Sequence, residues 1–237
     1  YLERKLLPFT KEFIDLLHKN KKKYVFLTND SSVSPEEYSK ILKKIGIKCD
    51  ERQVITPISN FINIVTTNFL EKKGIMIFAS KKLKDFLKKQ KIKTISDVSR
   101  FKDPENILVS GNIDFNYRDL MYASLCVQNG ANLYATSVDN SYPTKLGNVP
   151  ATGSIIAAIT KTFPTKVINL GKPTRKIFML AVQKLGLPKS EILTIGDNLK
   201  TDIAGANSVG IKSALVLTGK TNAQMVKESK IDPTYII

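Results

Sequence analysis

The residues of this chain best placed for chemistry lie between Glu191 and Gly210. A short apolar run (Ile192, Leu193 and Ile195) breaks at Gly196-Asp197, and Asp202 follows five residues later inside a helical pattern. In a parallel α/β sheet, ligands collect at the carboxyl ends of the strands. Two carboxylates delivered there by one turn suit a hard divalent cation such as Mg²⁺, which takes oxygen ligands. Upstream, Gly171-Lys172-Pro173 sets a lysine at the entry of another helical pattern, and the strand-like run Tyr24-Val-Phe-Leu-Thr-Asn29 ends in a hydroxyl and an amide. Thr28, Asn29, Lys172, Asp197 and Asp202 thus form a set that can hold a phosphoryl group beside a metal. Each also has a plainer reading. Asp197 is a common turn residue after a strand, Asp202 places negative charge in the first turn of a helix, Thr28 can cap the following loop, and Lys172 is one of many lysines.

The elements that must position these residues alternate along the chain. Helices are expected over about 10–20, 35–45, 57–72, 117–129, 152–162, 174–185 and 201–209, with a lysine-rich amphipathic one from Lys81. Strands are expected over about 24–28, 54–56, 74–79, 106–110, 132–136, 192–195 and 213–217. Ser34, Pro35 and Glu37 give the second helix a start signal. Repeated βα units argue for parallel sheet covered by helices on both faces. The segment Asp139–Pro150, rich in turn residues, breaks the alternation. Thr28 and Lys172 lie far apart in sequence, so a second domain fits between them. The expected division is core over 1–73, an inserted domain over 74–166, and core again over 167–237.

Composition removes several classes of function. The 237 residues are 42% hydrophobic, enough for a core, and no run approaches the ~18–20 apolar residues of a membrane span. The net charge is +16, from 37 basic against 21 acidic residues. Only five of the basic residues are arginine, and the lysines are spread along the chain. The densest cluster, Lys81–Lys93, puts Leu83, Phe86 and Leu87 at helical spacing, which describes a solvated surface helix. No nucleic-acid or membrane partner is expected, and a basic field attracts small anions in any case. Cys49 and Cys126 lack metal or redox spacing, which fits a reduced, cytoplasmic setting. His18 is the single histidine. With no G-x-S-x-G elbow either, Ser31, Ser32 and Ser34 are not expected to serve as nucleophiles.

Taken together, Phe26-Leu-Thr-Asn-Asp-Ser-Ser32, Ala135-Thr-Ser-Val-Asp139, Pro150-Ala-Thr-Gly-Ser154, Gly171-Lys-Pro173, Gly196-Asp-Asn-Leu-Lys-Thr-Asp202 and Leu215-Val-Leu-Thr-Gly219 resemble the haloacid-dehalogenase superfamily of phosphotransferases. More narrowly, they resemble its p-nitrophenylphosphatase (NagD-like) branch, with phosphoglycolate and pyridoxal-phosphate phosphatases. The resemblance covers nearly the whole chain. It implies a Rossmann-like core interrupted by a large α/β (C2-type) cap, and a Mg²⁺-dependent phosphatase acting on a small phosphomonoester through an aspartyl phosphate. By that likeness Thr28 and Asn29 would donate to the phosphate, Lys172 would neutralise it, Asp197 and Asp202 would hold Mg²⁺ directly or through water, and Asp139 would touch the substrate. Relatives often pair through their caps, so a homodimer is a further expectation.

The family's D-x-D-G nucleophile motif is not in this sequence. Tyr1–Pro8 resembles the segment just after it, so the expectation is a truncated or incompletely determined chain, inactive as written. Tyr235–Ile237 likewise resembles a point that relatives continue beyond. The alternative is a catalytically inactive, phosphate-binding or regulatory member of the same fold. Asp30 stands where relatives commonly have Asn, and it is expected to face the following loop rather than the phosphate.

Overall fold

The computed structural model describes residues 6–68, 70 and 74–237. They form an α/β protein built on parallel sheets, and contacts divide the chain into two compact units. One comprises Tyr1–Leu27, Glu36–Ile55 and Lys172–Ile237, and the other Thr28–Pro35 and Thr56–Gly171.

The second unit is organised by four parallel strands in the order β3 (Ile75–Phe78), β4 (Asn106–Val109), β5 (Asn132–Ala135) and β8 (Val167–Asn169). Successive side chains on a strand point to opposite faces, and both faces here are apolar. Ile75, Ile77 and Leu108 pack with Ile58, Phe61, Ile64 and Val65 of α3 (Pro57–Asn68) and with Leu83 and Leu87 of α4 (Lys81–Lys89). Met76, Phe78, Ile107 and Val109 face Ala123, Cys126 and Val127 of α5 (Tyr117–Gln128) and Ile156 and Ile159 of α6 (Thr152–Thr162). A sheet covered on both sides has no polar face, which is why its strands read as continuous apolar runs. The lysine-rich helix sits as its pattern demands: Leu83 and Leu87 are buried, and Lys81 pairs with Asp85 at 2.7 Å on the solvent side.

Two features of this unit differ from the expectation. The inserted domain was expected over 74–166, yet α3, the Thr28–Pro35 turn and β8 also group here. Helix α3 does so through its packing on the sheet, and β8 through its register with β5, Leu133 opposite Val167. The boundary expected at 73, like the end of the helix expected to reach 72, lies outside the described residues. The segment after Asp139 is an antiparallel hairpin, β6 (Ser141–Thr144) with β7 (Gly147–Pro150), rather than an irregular turn. Gly147 reverses the chain there at φ 115°, a left-handed region that other residues resist.

In the first unit, α1 (Thr10–Lys19) precedes β1 (Phe26–Leu27), which pairs in parallel with β2 (Val54–Ile55) and is joined to it through α2 (Pro35–Lys44). A separate parallel sheet runs β11 (Tyr235–Ile236), β10 (Lys212–Leu215), β9 (Leu193–Gly196). Ile177, Phe178 and Ala181 of α7 (Arg175–Leu185) and Ala206 and Val209 of α8 (Ala204–Val209) supply the core with Ile55 and Ile192. The short helix α9 (Ala223–Glu228) and strand β11, neither foreseen, finish the unit. Among the described residues no helix is long and apolar enough to cross a membrane.

Candidate active site

Strand β9 delivers Asp197 at its carboxyl end. The carboxylate turns toward the loop after β10, where its Oδ2 accepts a hydrogen bond from the Lys220 backbone N–H at 2.8 Å. A Cβ on Gly219 would lie 2.0 Å from that oxygen, so glycine is what lets the loop close on the carboxylate. Thr221, which no sequence pattern singles out beyond its place after Thr-Gly-Lys, locks the same loop. Its N–H donates to the Asp197 carbonyl at 3.1 Å, and its Oγ1 accepts from the Leu199 N–H at 3.2 Å.

Asp202 follows on a π-helical turn, Leu199–Ile203, that runs into α8 where an ordinary helix was expected. Such turns recur at functional sites because they re-aim one side chain. Asp202 is 6% exposed, and both of its oxygens are engaged. Oδ1 accepts from Lys172 Nζ at 2.6 Å and Oδ2 from the Asn198 N–H at 3.1 Å. Gly196 makes room for it, since a Cβ there would meet the carboxylate at 2.5 Å. The structure therefore brings Lys172 and Asp202 together in a buried, charge-assisted pair. The Lys172–Pro173 peptide is cis.

The other unit carries Thr28, Asn29 and Asp139. Thr28 Oγ1 accepts from the Asp30 N–H at 3.0 Å, which leaves the hydroxyl hydrogen to donate elsewhere. Asp30 faces the following loop as expected, its Oδ1 accepting from the Ser32 N–H at 2.9 Å and from Ser32 Oγ at 2.6 Å. Asn29 Nδ2 donates to Asp139 Oδ2 at 3.1 Å. Each unit thus holds one part of the predicted set; in the chain, Thr28 directly follows Leu27 of β1 and Lys172 directly follows Gly171.

Other nucleophiles fall away on chemistry. Burial pushes the Cys126 thiol up to about 12 and the Cys49 thiol up to about 11, so neither presents a thiolate near neutrality. Ser31 is buried among other hydroxyls, and its Oγ donates to Thr136 Oγ1 at 2.9 Å with no histidine beside it.

One surface feature of the first unit was not foreseen. Among the described residues β1 pairs only with β2, and β9 only with β10, so each has an open edge. A groove of about 180 Å³ is lined by residues of and next to both strands, Tyr24, Val25, Leu27, Leu193, Thr194 and Ile195, with Lys172 and Asp202 also on its wall. Leu193 and Ile195 are 46% and 43% exposed there, unusual for aliphatic residues of a parallel strand.

With this geometry in place, likeness to known proteins becomes informative. Residues 1–93 match the haloacid dehalogenase-like hydrolases and residues 169–237 the family described as "HAD-hyrolase-like". An acid sugar phosphatase of Staphylococcus haemolyticus is 29% identical over 231 residues, which span 94% of this chain and 83% of that protein. Among solved structures, the 4-nitrophenylphosphatase of Thermotoga maritima has a TM-score of 0.91 at 28% identity, covering 100% of this chain and 89% of that one. A mutant of the thermostable p-nitrophenylphosphatase from Bacillus stearothermophilus has a TM-score of 0.81 at 30% identity, covering 95% of this chain and 86% of its own. Matched by family at both ends and by relatives along nearly its whole length, the chain belongs to the haloacid dehalogenase-like hydrolases, in their p-nitrophenylphosphatase branch, and is a phosphoric monoester hydrolase.

Proposed function

We propose that the protein hydrolyses small phosphomonoesters with the help of Mg²⁺, through an aspartyl phosphate formed on a D-x-D-G segment that these 237 residues do not contain. The names of the relatives, an acid sugar phosphatase and p-nitrophenylphosphatases, support sugar phosphates and aryl phosphates as the substrate class. The observation that carries the reading is the buried Lys172–Asp202 pair at the carboxyl end of β9, beside Asp197 and on the wall of a groove between two open strand edges. A parallel strand seated in that groove would pair with both edges and cover Leu193 and Ile195. Its carboxyl end would then reach the same end of the sheet as Asp197.

The donor set suits Mg²⁺. This ion keeps several waters and is held by one or two carboxylates together with substrate phosphate, not by an all-protein cage. The lack of a cluster of three acidic or His/Cys ligands among the described residues is compatible with that habit. Asp197 is the direct ligand in this reading. Asp202, with both oxygens occupied, acts through Lys172 and the Asn198 N–H. Bound there, Mg²⁺ would supply Lewis-acid polarisation of a phosphoryl oxygen.

The chain's own residues do the rest. Lys172 presents a compact positive charge, held in place by Asp202, to the oxygens that gain charge in the transition state. Thr28 and Asn29 donate to the phosphate. Assigning Thr28, Asn29 and Lys172 to one phosphoryl group rests on the family resemblance, and a binding experiment tests it. In titrations of the 237-residue protein with inorganic phosphate, Thr28→Ala and Lys172→Ala are each expected to raise the Kd about tenfold, the worth of one charge-assisted hydrogen bond. A change with only one of them would mean that they serve different ligands.

A further inference from the structure

We infer that Asp139 is a positioning residue, which sets the direction in which the Asn29 amide points. The inference rests on the proposed role of Asn29 at the phosphate. A carboxylate can only accept hydrogen bonds, so the group facing Asp139 Oδ2 must be the NH₂ end of the Asn29 amide, which donates at 3.1 Å. The same oxygen accepts from Ser137 Oγ at 3.0 Å, and Ser137 Oγ in turn accepts from the Asp139 N–H at 2.9 Å. That closed ring holds the carboxylate in one rotamer. At its other end the amide is confined by Gly171, where a Cβ would lie 2.5 Å from Asn29 Oδ1. Asp139 on one side and the bare Gly171 backbone on the other therefore exclude the flipped amide.

What lies beneath makes this a side-chain effect only. The backbone of both segments is anchored independently of the Asp139 carboxylate. Below the turn, Ser31 Oγ donates to Thr136 Oγ1 at 2.9 Å, and Thr136 in turn reaches Ser110 and Thr152, each at 3.3 Å. All four hydroxyl residues are buried, and they come from the Thr28–Pro35 turn, the ends of β4 and β5, and the start of α6. The other segment is pinned by Gly153 N–H donating to the Asp139 carbonyl and Ala151 N–H to the Asn140 carbonyl, both at 2.9 Å. Gly153 tolerates no side chain, since its Cβ would come within 2.6 Å of that Asp139 oxygen. Removing the Asp139 carboxylate should thus release this hold on the Asn29 NH₂ and leave the frame standing.

The test uses the ¹⁵N-labelled 237-residue protein, with the Asn29 side-chain amide identified by its loss in Asn29→Ala. In Asp139→Ala its two proton signals are expected to draw together toward the values of a solvated amide. In Asp139→Asn, whose side-chain oxygen still accepts, they should stay apart. Titration with inorganic phosphate is expected to show a Kd raised about five- to tenfold in Asp139→Ala and by less than about twofold in Asp139→Asn, the loss and retention of one well-directed hydrogen bond to the anion. Thermal midpoints should be unchanged in both. An Asn29 amide unmoved by Asp139→Ala would overturn the inference, and so would Asp139→Asn behaving like Asp139→Ala. If Thr28→Ala and Lys172→Ala leave phosphate affinity intact, the phosphate reading falls instead, and the amide signals distinguish that failure from this one.

Discussion

Joined at Tyr1 to a β-strand ending in D-x-D-G from a family member, the chain is expected to hydrolyse p-nitrophenyl phosphate at least about a thousandfold faster than the 237 residues alone. Loss of a nucleophile removes most of an enzyme's rate, while binding and charge stabilisation leave a small residue of catalysis. In the proposed site those remaining parts would be Lys172, which donates to Asp202, and Asp197, which accepts from the Lys220 N–H. The added strand has a place to go, because β1 and β9 each have an open edge and share a groove. Seating it would also cover Leu193 and Ile195, now 46% and 43% exposed. Covering an aliphatic side chain is worth about 1.5–3 kcal/mol when complete, so the joined protein should also resist urea better. Equal turnover by the two proteins, with contaminants excluded, would show that the nucleophile already lies within Tyr1–Ile237.

The second large effect concerns the buried ion pair. Asp202→Ala is expected to destabilise the protein by about 3–5 kcal/mol, because it removes the carboxylate that the little-exposed Lys172 ammonium meets at 2.6 Å. The side chains are only 15% and 9% exposed, so water cannot take over the lost role. The same change removes the acceptor for the Asn198 N–H, which loosens the π-helical turn. Replacing both partners with apolar residues, Lys172→Met with Asp202→Leu, should recover much of the loss, since a buried pair contributes little over well-packed hydrophobic side chains. Urea midpoints of the two single variants and the double variant decide the matter. A loss below about 1 kcal/mol in Asp202→Ala would mean that the pair is solvated and weak.

Much of this could be read from the residues, and what could not has physical causes. The strands of the second unit are apolar on both faces, so Ile75–Phe78 and Asn106–Val109 announce themselves. The Lys81 helix does so through Leu83 and Leu87. Thr28, Asn29 and Asp197 could be picked out as candidates because they stand where apolar runs end. Strand β8 was missed because Val167–Asn169 is three residues long and owes its existence to pairing with β5, which no local pattern records. Hairpin β6–β7 was hidden by Pro143 and by the turn residues around it. The limits of the second unit escaped for the same reason, since α3 joins it by packing on a sheet distant in sequence. The engagement of Asp202 by Lys172, and of Asn29 by Asp139, depends on side chains 30 and 110 positions apart. A sequence can suggest that such groups share a role. It gives no sign that one of them spends its oxygens on the other.

In the proposed mechanism Mg²⁺ assists phosphate transfer and Asp197 is the carboxylate that meets the ion. Phosphate release as a function of Mg²⁺ concentration, in the strand-bearing protein with Asp197 and with Asp197→Asn, decides between this mechanism and a metal-free one. The expected result is saturable dependence on Mg²⁺, abolished by a chelator, and a fall of at least about a hundredfold in Asp197→Asn, in keeping with the several kcal/mol that a metal contributes to stabilising transition-state charge. Full activity in the presence of chelator, or an Asp197→Asn protein with an unchanged Mg²⁺ response, would contradict it.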